Sequence, residues 1–315
     1  MDDVTLALLA AARARFEGLA ALPFPDPEIV QLAHDKGALA SVAAEHGVPA
    51  PRTVVVREAA DLAAAARLVG FPAVVKARVS RLAVDGRWRS APGTCYVHTP
   101  AELEAACRQV GAIIPEPIVQ EYVPGDGRGI FVLMNQGRLR AAFAHRRLRE
   151  KPPSGGVSVL SESVPLDPAL LQQSERVLEA LKWHGVAMLE FKRDARDGVS
   201  RLLEINGRFW GSLQLAVDAG VDFPALLYRL AVEGDVEPVL DYRVGVRLRW
   251  GLGTVDWLLL RSRETGARRA LRDLLGPGGP RARGEILRRD DPAPAAVELA
   301  QYLGAAARGV LGSRA

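Results

Sequence analysis

Hydrophobic positions along the chain switch repeatedly between helical and strand spacing, and the switches mark its elements. Val4 to Leu19 keeps a helical period, and Leu22-Pro23-Phe24-Pro25-Asp26-Pro27 breaks it as a linker. A helix is predicted from Asp35 to His46, ended by Gly47. Thr53 to Val56 reads as a β-branched strand, Glu58 to Val69 as an alanine-rich helix stopped by Gly70, and Ala73 to Ala77 as a buried strand, the order of a β-α-β unit. Arg78 to Gly93 shows no period, is rich in arginine and poor in glycine, and reads as a long loop and candidate lid.

Tyr96 to His98 resumes a strand. Thr99-Pro100-Ala101-Glu102 follows as a capping box with proline at the first helical position, which makes Glu102 a cap rather than a catalyst. Ile118 to Val123, Gly129 to Met134 and Arg138 to His145 read as strands of one antiparallel sheet, the last two joined across Asn135-Gln136-Gly137. After a loop at Pro152 to Gly156, Asp167-Pro168 caps a helix running to Trp183, with His184 as a structural helix-end residue. Gly185 to Lys192 and Leu202 to Ile205 are strands turned by Asp194 to Val199. Helices are expected over Gly211 to Ala219, over Phe223 to Val232, and around Trp257 and Val297, and Phe209 and Trp210 are assigned to the core.

Composition excludes several classes. At 315 residues, 49% hydrophobic and 25% charged, the chain is neither disordered nor fibrous. Its charge of +4 comes from 36 Arg and 5 Lys scattered along the chain, so no basic stripe forms and no nucleic-acid partner is expected. Cys95 and Cys107 are too few for a disulfide framework and lie in no zinc-ligand spacing, which fits reduced thiols. The acidic start has no basic segment followed by an apolar one, and apolar runs such as Trp257 to Leu260 fall far short of the roughly 20 residues that span a bilayer. A cytoplasmic protein without a membrane partner is expected.

The chemistry gathers on the hairpin Val186-Ala187-Met188-Leu189-Glu190-Phe191 and Leu202-Leu203-Glu204-Ile205-Asn206. Antiparallel pairing can bring Glu190 and Glu204 to one face, and Asn206, two residues past Glu204, points the same way. Two carboxylates on apolar strands repel and need a cation or basic partners, and carboxylate and amide oxygens suit magnesium. Arg208 follows, placed to stabilise charge on a transferring phosphoryl group. The plain alternative makes Glu190 and Glu204 edge-strand charges paired with Lys192 or Arg201.

Over about Asp35 to Gly234 these residues resemble the ATP-grasp superfamily, of the carboxylate-amine ligase kind, with a domain similar to that of carbamoyl-phosphate synthase. The resemblance rests on an acid, Glu190, followed after a hairpin by Glu204-Ile205-Asn206-Gly207-Arg208, and on Lys36 and Lys76 in the expected order. It implies an α+β fold of two α/β lobes with mainly antiparallel sheets clasping ATP. The small lobe would be 35–122 and the large lobe 123–235, with an N-terminal helix and linker at 1–34 and a helical C-terminal extension at 236–315. Lys36 and Lys76 would hold the ATP phosphates, Lys76 and Arg208 acting in catalysis. Gln120, Glu121 and Val123 would form the interlobe hinge that reads adenine, and Asp126 could serve the ribose. Glu190, Glu204 and Asn206 would hold Mg2+, or Mn2+ in its place. Arg146, Arg147, Gly155 and Gly156 would form a loop near the γ-phosphate and acceptor.

The implied reaction phosphorylates a carboxylate with ATP and lets an amine attack the acyl phosphate, both small molecules of amino-acid character. A non-catalytic ATP-binding partner and an ATP-dependent small-molecule phosphotransferase stand as alternatives. Only 35 residues precede Lys36 where family ligases carry a domain that helps bind the acceptor. A second copy, as a homodimer, or another partner would then supply that surface, or the start is shortened.

Overall fold

Polar side-chain caps start several of the helices. In the computed structural model, which describes residues 2–153, 156–276 and 282–308, Asp2 opens α1 (Asp3–Ala11) by accepting the Thr5 N–H at 2.8 Å. The helix gives way to a 3-10 turn at Arg13–Phe16 instead of continuing to Leu19, because the Arg13 guanidinium turns back to the carbonyls of the proline linker, reaching Pro25 O at 2.9 Å. The linker then yields a helix the periodicity did not predict, α2 (Pro27–His34), with Pro27 at its start. Asp35 caps α3 (Lys36–Glu45) by accepting the N–H groups of Gly37 and Ala38 at 2.9 and 3.1 Å.

β1 (Thr53–Val55), α4 (Ala59–Val69) and β2 (Ala73–Lys76) follow as expected, with a reciprocal Glu58/Asp61 box opening α4. The stretch read as a loop is corrected: it holds β3 (Arg81–Val84) and β4 (Arg87–Ser90), paired from Arg81↔Ser90 to Val84↔Arg87. Both strands are largely exposed, so no inward face leaves a period-2 pattern. The signal lay in the turn, where Asp85 and Gly86 take the left-handed conformation of an Asp-Gly hairpin. β5 (Cys95–Val97) leads into α5 (Pro100–Gly111), where Thr99 accepts the Glu102 N–H and the Glu102 carboxylate accepts the His98 N–H.

The chain continues through β6 (Ile118–Glu121), β7 (Gly125–Asn135), β8 (Arg138–Lys151), β9 (Val157–Ser163), α6 (Pro168–Ala180), β10 (Gly185–Asp194), β11 (Ser200–Asn206), α7 (Leu213–Ala219) and α8 (Phe223–Glu233). β12 (Arg247–Arg249), α9 (Gly251–Thr265), α10 (Ala267–Leu275), β13 (Arg283–Gly284) and α11 (Ala293–Ala307) complete it. β9, β12 and β13 were not expected. Among the described residues no helix is long and apolar enough to cross a membrane.

The chain divides into two compact units. The first takes the residues up to Ala142, Leu166–Phe209 and Pro224–Leu240. It contains an antiparallel sheet in the order β1-β6-β2-β5. β6 therefore belongs with β1 and β2 rather than in one sheet with the two strands after it, a correction that hydrophobic pattern could not supply because it is blind to partner choice. Val69, Val75, Val97, Leu103, Val110 and Val119 fill the space between this sheet and α4 and α5. In the same unit β10 pairs with β7 along one edge, from Gly185↔Met134 to Asp194↔Gly125, and with β11 along the other. α2 and α3 both pack on β11, and Leu6, Ala10, Phe24 and Val30 tie α1 and the linker to α2. This packing sets the junction His34-Asp35-Lys36 beside the C-terminal half of β11.

The second unit takes Phe143–Pro165, Trp210–Phe223 and the chain from Asp241 onward. Within it the later part of β8 pairs with β9, β9 with β12 and β12 in parallel with β13, and α7 and α9 pack on β9.

Candidate functional site

Glu190 and Glu204 are direct register partners across β10 and β11, so their side chains leave the same face, and the register shifts just after Glu190. Asn206 shares that face and donates from Nδ2 to Glu204 Oε1 at 3.1 Å. The network continues through Arg208, whose Nη2 reaches Asn206 Oδ1 at 3.3 Å while Nε and Nη2 grip the Asp3 carboxylate at 2.5 and 3.3 Å.

Positive charge faces this row. Lys36, at the start of α3, places Nζ 3.6 Å from Glu204 Oε2 and donates to Ser80 Oγ at 3.1 Å. Only 11% of its side chain is exposed. Lys76 ends β2, where burial foremost, then repulsion from Lys36, outweighs the attraction of Glu204 and Glu190 and lowers its ammonium to about 8. Burial alone would raise the Glu204 carboxyl, but Lys36, the Asn206 hydrogen bond and Lys76 together hold it below the usual range. Lys192 adds to the field on Lys76, so three of the five lysines of the chain meet at this site.

The residues expected to form a hinge lie at the other end of β2. Ala73 is opposite Glu121, and Lys76 lies three residues further along the strand, roughly 10 Å away at strand rise. Gln120 is buried and donates to Thr53 Oγ1 at 2.9 Å, while the Glu121 carboxylate accepts from Arg52 Nε at 3.1 Å and Arg196 Nη2 at 2.7 Å. Two guanidiniums thus hold the Glu121 side chain, and its N–H donates to the Arg52 carbonyl at 2.9 Å. Val123 is buried, and exposed Asp126 stands opposite Arg193 at the start of β7. Lys192 Nζ lies 5.6 Å from the centre of the Tyr122 ring, next to Glu121 in sequence.

Residues 114–253 match the family described as "ATP-grasp in the biosynthetic pathway with Ter operon". The chain is 29% identical over 170 residues to an N5-carboxyaminoimidazole ribonucleotide synthase of Pseudomonas aeruginosa, covering 53% of this chain and 44% of that protein. It is 24% identical over 198 residues to a D-aspartate ligase of Enterococcus faecium, covering 59% of this chain and 47% of the other. Its fold matches the biotin carboxylase domain of 2-oxoglutarate carboxylase from Hydrogenobacter thermophilus with a TM-score of 0.62 at 17% identity, over 77% of this chain and 55% of that one. Over residues 114–253 the chain is thus similar to an ATP-grasp family, and its fold is the one seen in that biotin carboxylase domain. It spans less than half the length of the two sequence relatives.

The expected α+β fold is present, with mainly antiparallel sheets. The arginine loop lies in the second unit and is internally paired. Arg146 donates to Glu162 at 2.8 and 2.6 Å, and Arg147 to Glu150 at 3.0 Å and to the Gly156 carbonyl at 3.4 Å. Gly155 lies outside the described residues.

Sequence reasoning missed Asp3, His34, Ser80, Trp88 and Lys192. The first four line, with Lys36, Glu204 and Asn206, a cavity of about 40 Å³. Lys192 was open to the argument from lysine scarcity that singled out Lys36 and Lys76. The others required the tertiary fold. Among the described residues no group of three or more His, Cys, Asp or Glu side chains could hold a metal. Two carboxylates and an amide oxygen nevertheless fit a hard divalent ion that draws much of its shell from water and phosphate.

Proposed function

We propose that this chain is an ATP- and magnesium-dependent ligase that joins a carboxylate to an amine through an acyl phosphate, releasing ADP and phosphate. The observation that carries the reading is the meeting of Lys36, Lys76, Asn206 and Arg208 around an opposed Glu190/Glu204 pair. A nucleotide-binding surface needs cations for phosphate, but the paired carboxylates and the terminal arginine are arranged for charge that moves. The names of the two relatives, a ribonucleotide synthase and a D-aspartate ligase, support ligase chemistry. The ADP, magnesium and bicarbonate named with the biotin carboxylase domain support this ligand class.

In this reading Glu190, Glu204 and Asn206 would hold Mg2+, or Mn2+ in its place, which would supply neutralisation of phosphate charge. Lys76, still about 90% protonated at pH 7 given its value of about 8, and Lys36 hold the ATP phosphates from the small lobe at 35–122. The Glu121 carbonyl and Val123 N–H read the adenine edge, and Asp126 is the candidate for the ribose. Arg208 leaves Asp3 or shares it to meet the transferring phosphoryl group, and Arg146, Arg147 and the glycines after them, Gly155 and Gly156, serve the acceptor side. The large lobe spans 123–235, flanked by segments 1–34 and 236–315. The enzyme works in the cytoplasm on amino-acid-like substrates, with a second copy or another protein completing the acceptor surface.

Calorimetric titration with a nonhydrolysable ATP analogue, with and without magnesium, tests the reading on the chain and its Glu204→Gln variant. Magnesium-strengthened binding that falls at least tenfold in the variant is expected. ADP release with pairs of amino acids should follow in the wild type. No binding by the folded chain, or equal binding and turnover in the variant, overturns it.

A further inference from the structure

Residues of β8, α9 and α10 in the second unit line a cavity of about 280 Å³. The ladder between β8 and β9 slips on both sides of Arg149. Strict alternation of faces is broken there, so Arg147, Arg149 and Glu150 all reach the one cavity.

Arg149 is the residue that its surroundings leave incomplete. It is only 9% exposed. Its Nη2 donates to the carbonyls of Asp273 and Leu274 at 2.7 and 2.8 Å at the end of α10, and its Cζ lies 5.1 Å from the centre of the Trp257 ring on α9. Its Nη1 is buried and donates to nothing among the described residues. The two acids on the cavity wall are taken by other guanidiniums, Glu150 by Arg147 and Asp273 by Arg261, each at 3.0 Å. An arginine keeps its charge when buried, and a buried cation that lacks both an acid of its own and a full set of acceptors costs free energy. Its persistence at a cavity wall points to an anion that enters.

The same residues fix the class of that anion. Arg147, Arg149 and Arg261 face Glu150 and Asp273, which leaves one positive charge in surplus, and a single carboxylate balances it. Inorganic phosphate carries more than one negative charge near pH 7 and would leave an excess beside the two acids. Leu148, Pro153 and Trp257 add apolar wall, and the volume is more than a bare carboxylate fills.

We propose that this cavity binds a small organic monocarboxylate, with one oxygen accepting from Arg149 Nη1 and an apolar body against Leu148, Pro153 and Trp257. None of the residues placed around Glu204 lines the cavity. Binding here is therefore independent of the ligase reading.

Titration calorimetry of the whole chain with benzoate, acetate and inorganic phosphate tests the site, alongside Arg149→Lys and Glu150→Gln variants whose folding is checked by circular dichroism. Benzoate should bind saturably and more tightly than acetate or phosphate, and an ATP analogue with magnesium should not displace it. Arg149→Lys keeps the charge but loses the planar donor set, and should weaken benzoate at least about tenfold. Glu150→Gln makes the wall more positive by one charge and should strengthen benzoate about threefold or more, a gain that lost folding cannot imitate. No saturable benzoate binding, tighter binding of acetate or phosphate, displacement by the ATP analogue, affinity unchanged in folded Arg149→Lys, or affinity that does not rise in Glu150→Gln overturns the proposal. If Arg149→Lys does not fold, the Glu150→Gln titration decides alone.

Discussion

Replacing Lys76 with methionine should stabilise the fold while it weakens binding of an ATP analogue. Burial foremost, then Lys36, lowers the Lys76 ammonium from 10.5 to about 8 despite the attraction of Glu204 and Glu190. That difference corresponds to about 3 kcal/mol of net penalty on the charged form, with both carboxylates already counted. Part of the side chain still meets solvent, which screens the field, so a gain of about 1–3 kcal/mol is the expected range. Below about 8 both the folded and the unfolded chain carry the proton, and the full penalty is present. Between about 8 and 10.5 the unfolded chain binds the extra proton, so wild-type stability rises with pH and closes on the variant. Urea unfolding of Lys76→Met and the wild type, followed by tryptophan fluorescence at pH 7 and pH 10, reads this directly. A variant less stable at pH 7, or a gain of the same size at both pH values, refutes the reasoning. In the same variant the ATP analogue should bind at least tenfold more weakly.

Two further expectations concern the frame of the site. Gly185 opens β10 at φ +90, where a Cβ would fall 2.1 Å from the Pro23 carbonyl oxygen, so Gly185→Ala should cost about 2 kcal/mol or more in a denaturant titration. A loss under about 0.5 kcal/mol would mean that the linker yields freely. Asp35 caps α3 and pairs with Arg78 Nε at 2.7 Å, so Asp35→Ala should cost about 1–2 kcal/mol at pH 7. Burial opposes the Asp35 charge, but Arg78 and the capping N–H groups outweigh it and lower the carboxyl. The stability it adds is therefore present above about 4 and lost as pH falls through the lowered value. Parallel acid-unfolding curves for variant and wild type would count against that role.

Lys36 shows how capping chemistry and a candidate site residue share a segment. Asp35 stops α2 and starts α3, and the same turn places His34 on one side and Lys36 on the other, both toward β11. The sequence carried the cap, because an aspartate before a run of small helix formers is a local signal. It could not carry the destination of the turn, which depends on α2 and α3 packing against a strand about 160 residues later.

What the sequence determined by itself was local or chemical. The hairpin of Glu190 and Glu204 was legible because strand alternation and a short turn bring the two acids opposite each other without any long-range contact. The capped helices α5 and α6 and the rarity of lysine were legible for the same reason. Only the tertiary structure decided that β6 joins β1 and β2, that an exposed hairpin occupies 81–90, and that Asp3 meets Arg208 from the far end of the chain. Strand partners are chosen by which buried faces fit together, and exposed strands leave no hydrophobic period to read. Ion pairs across 205 residues leave no trace in local spacing, because the packed core between them sets the distance.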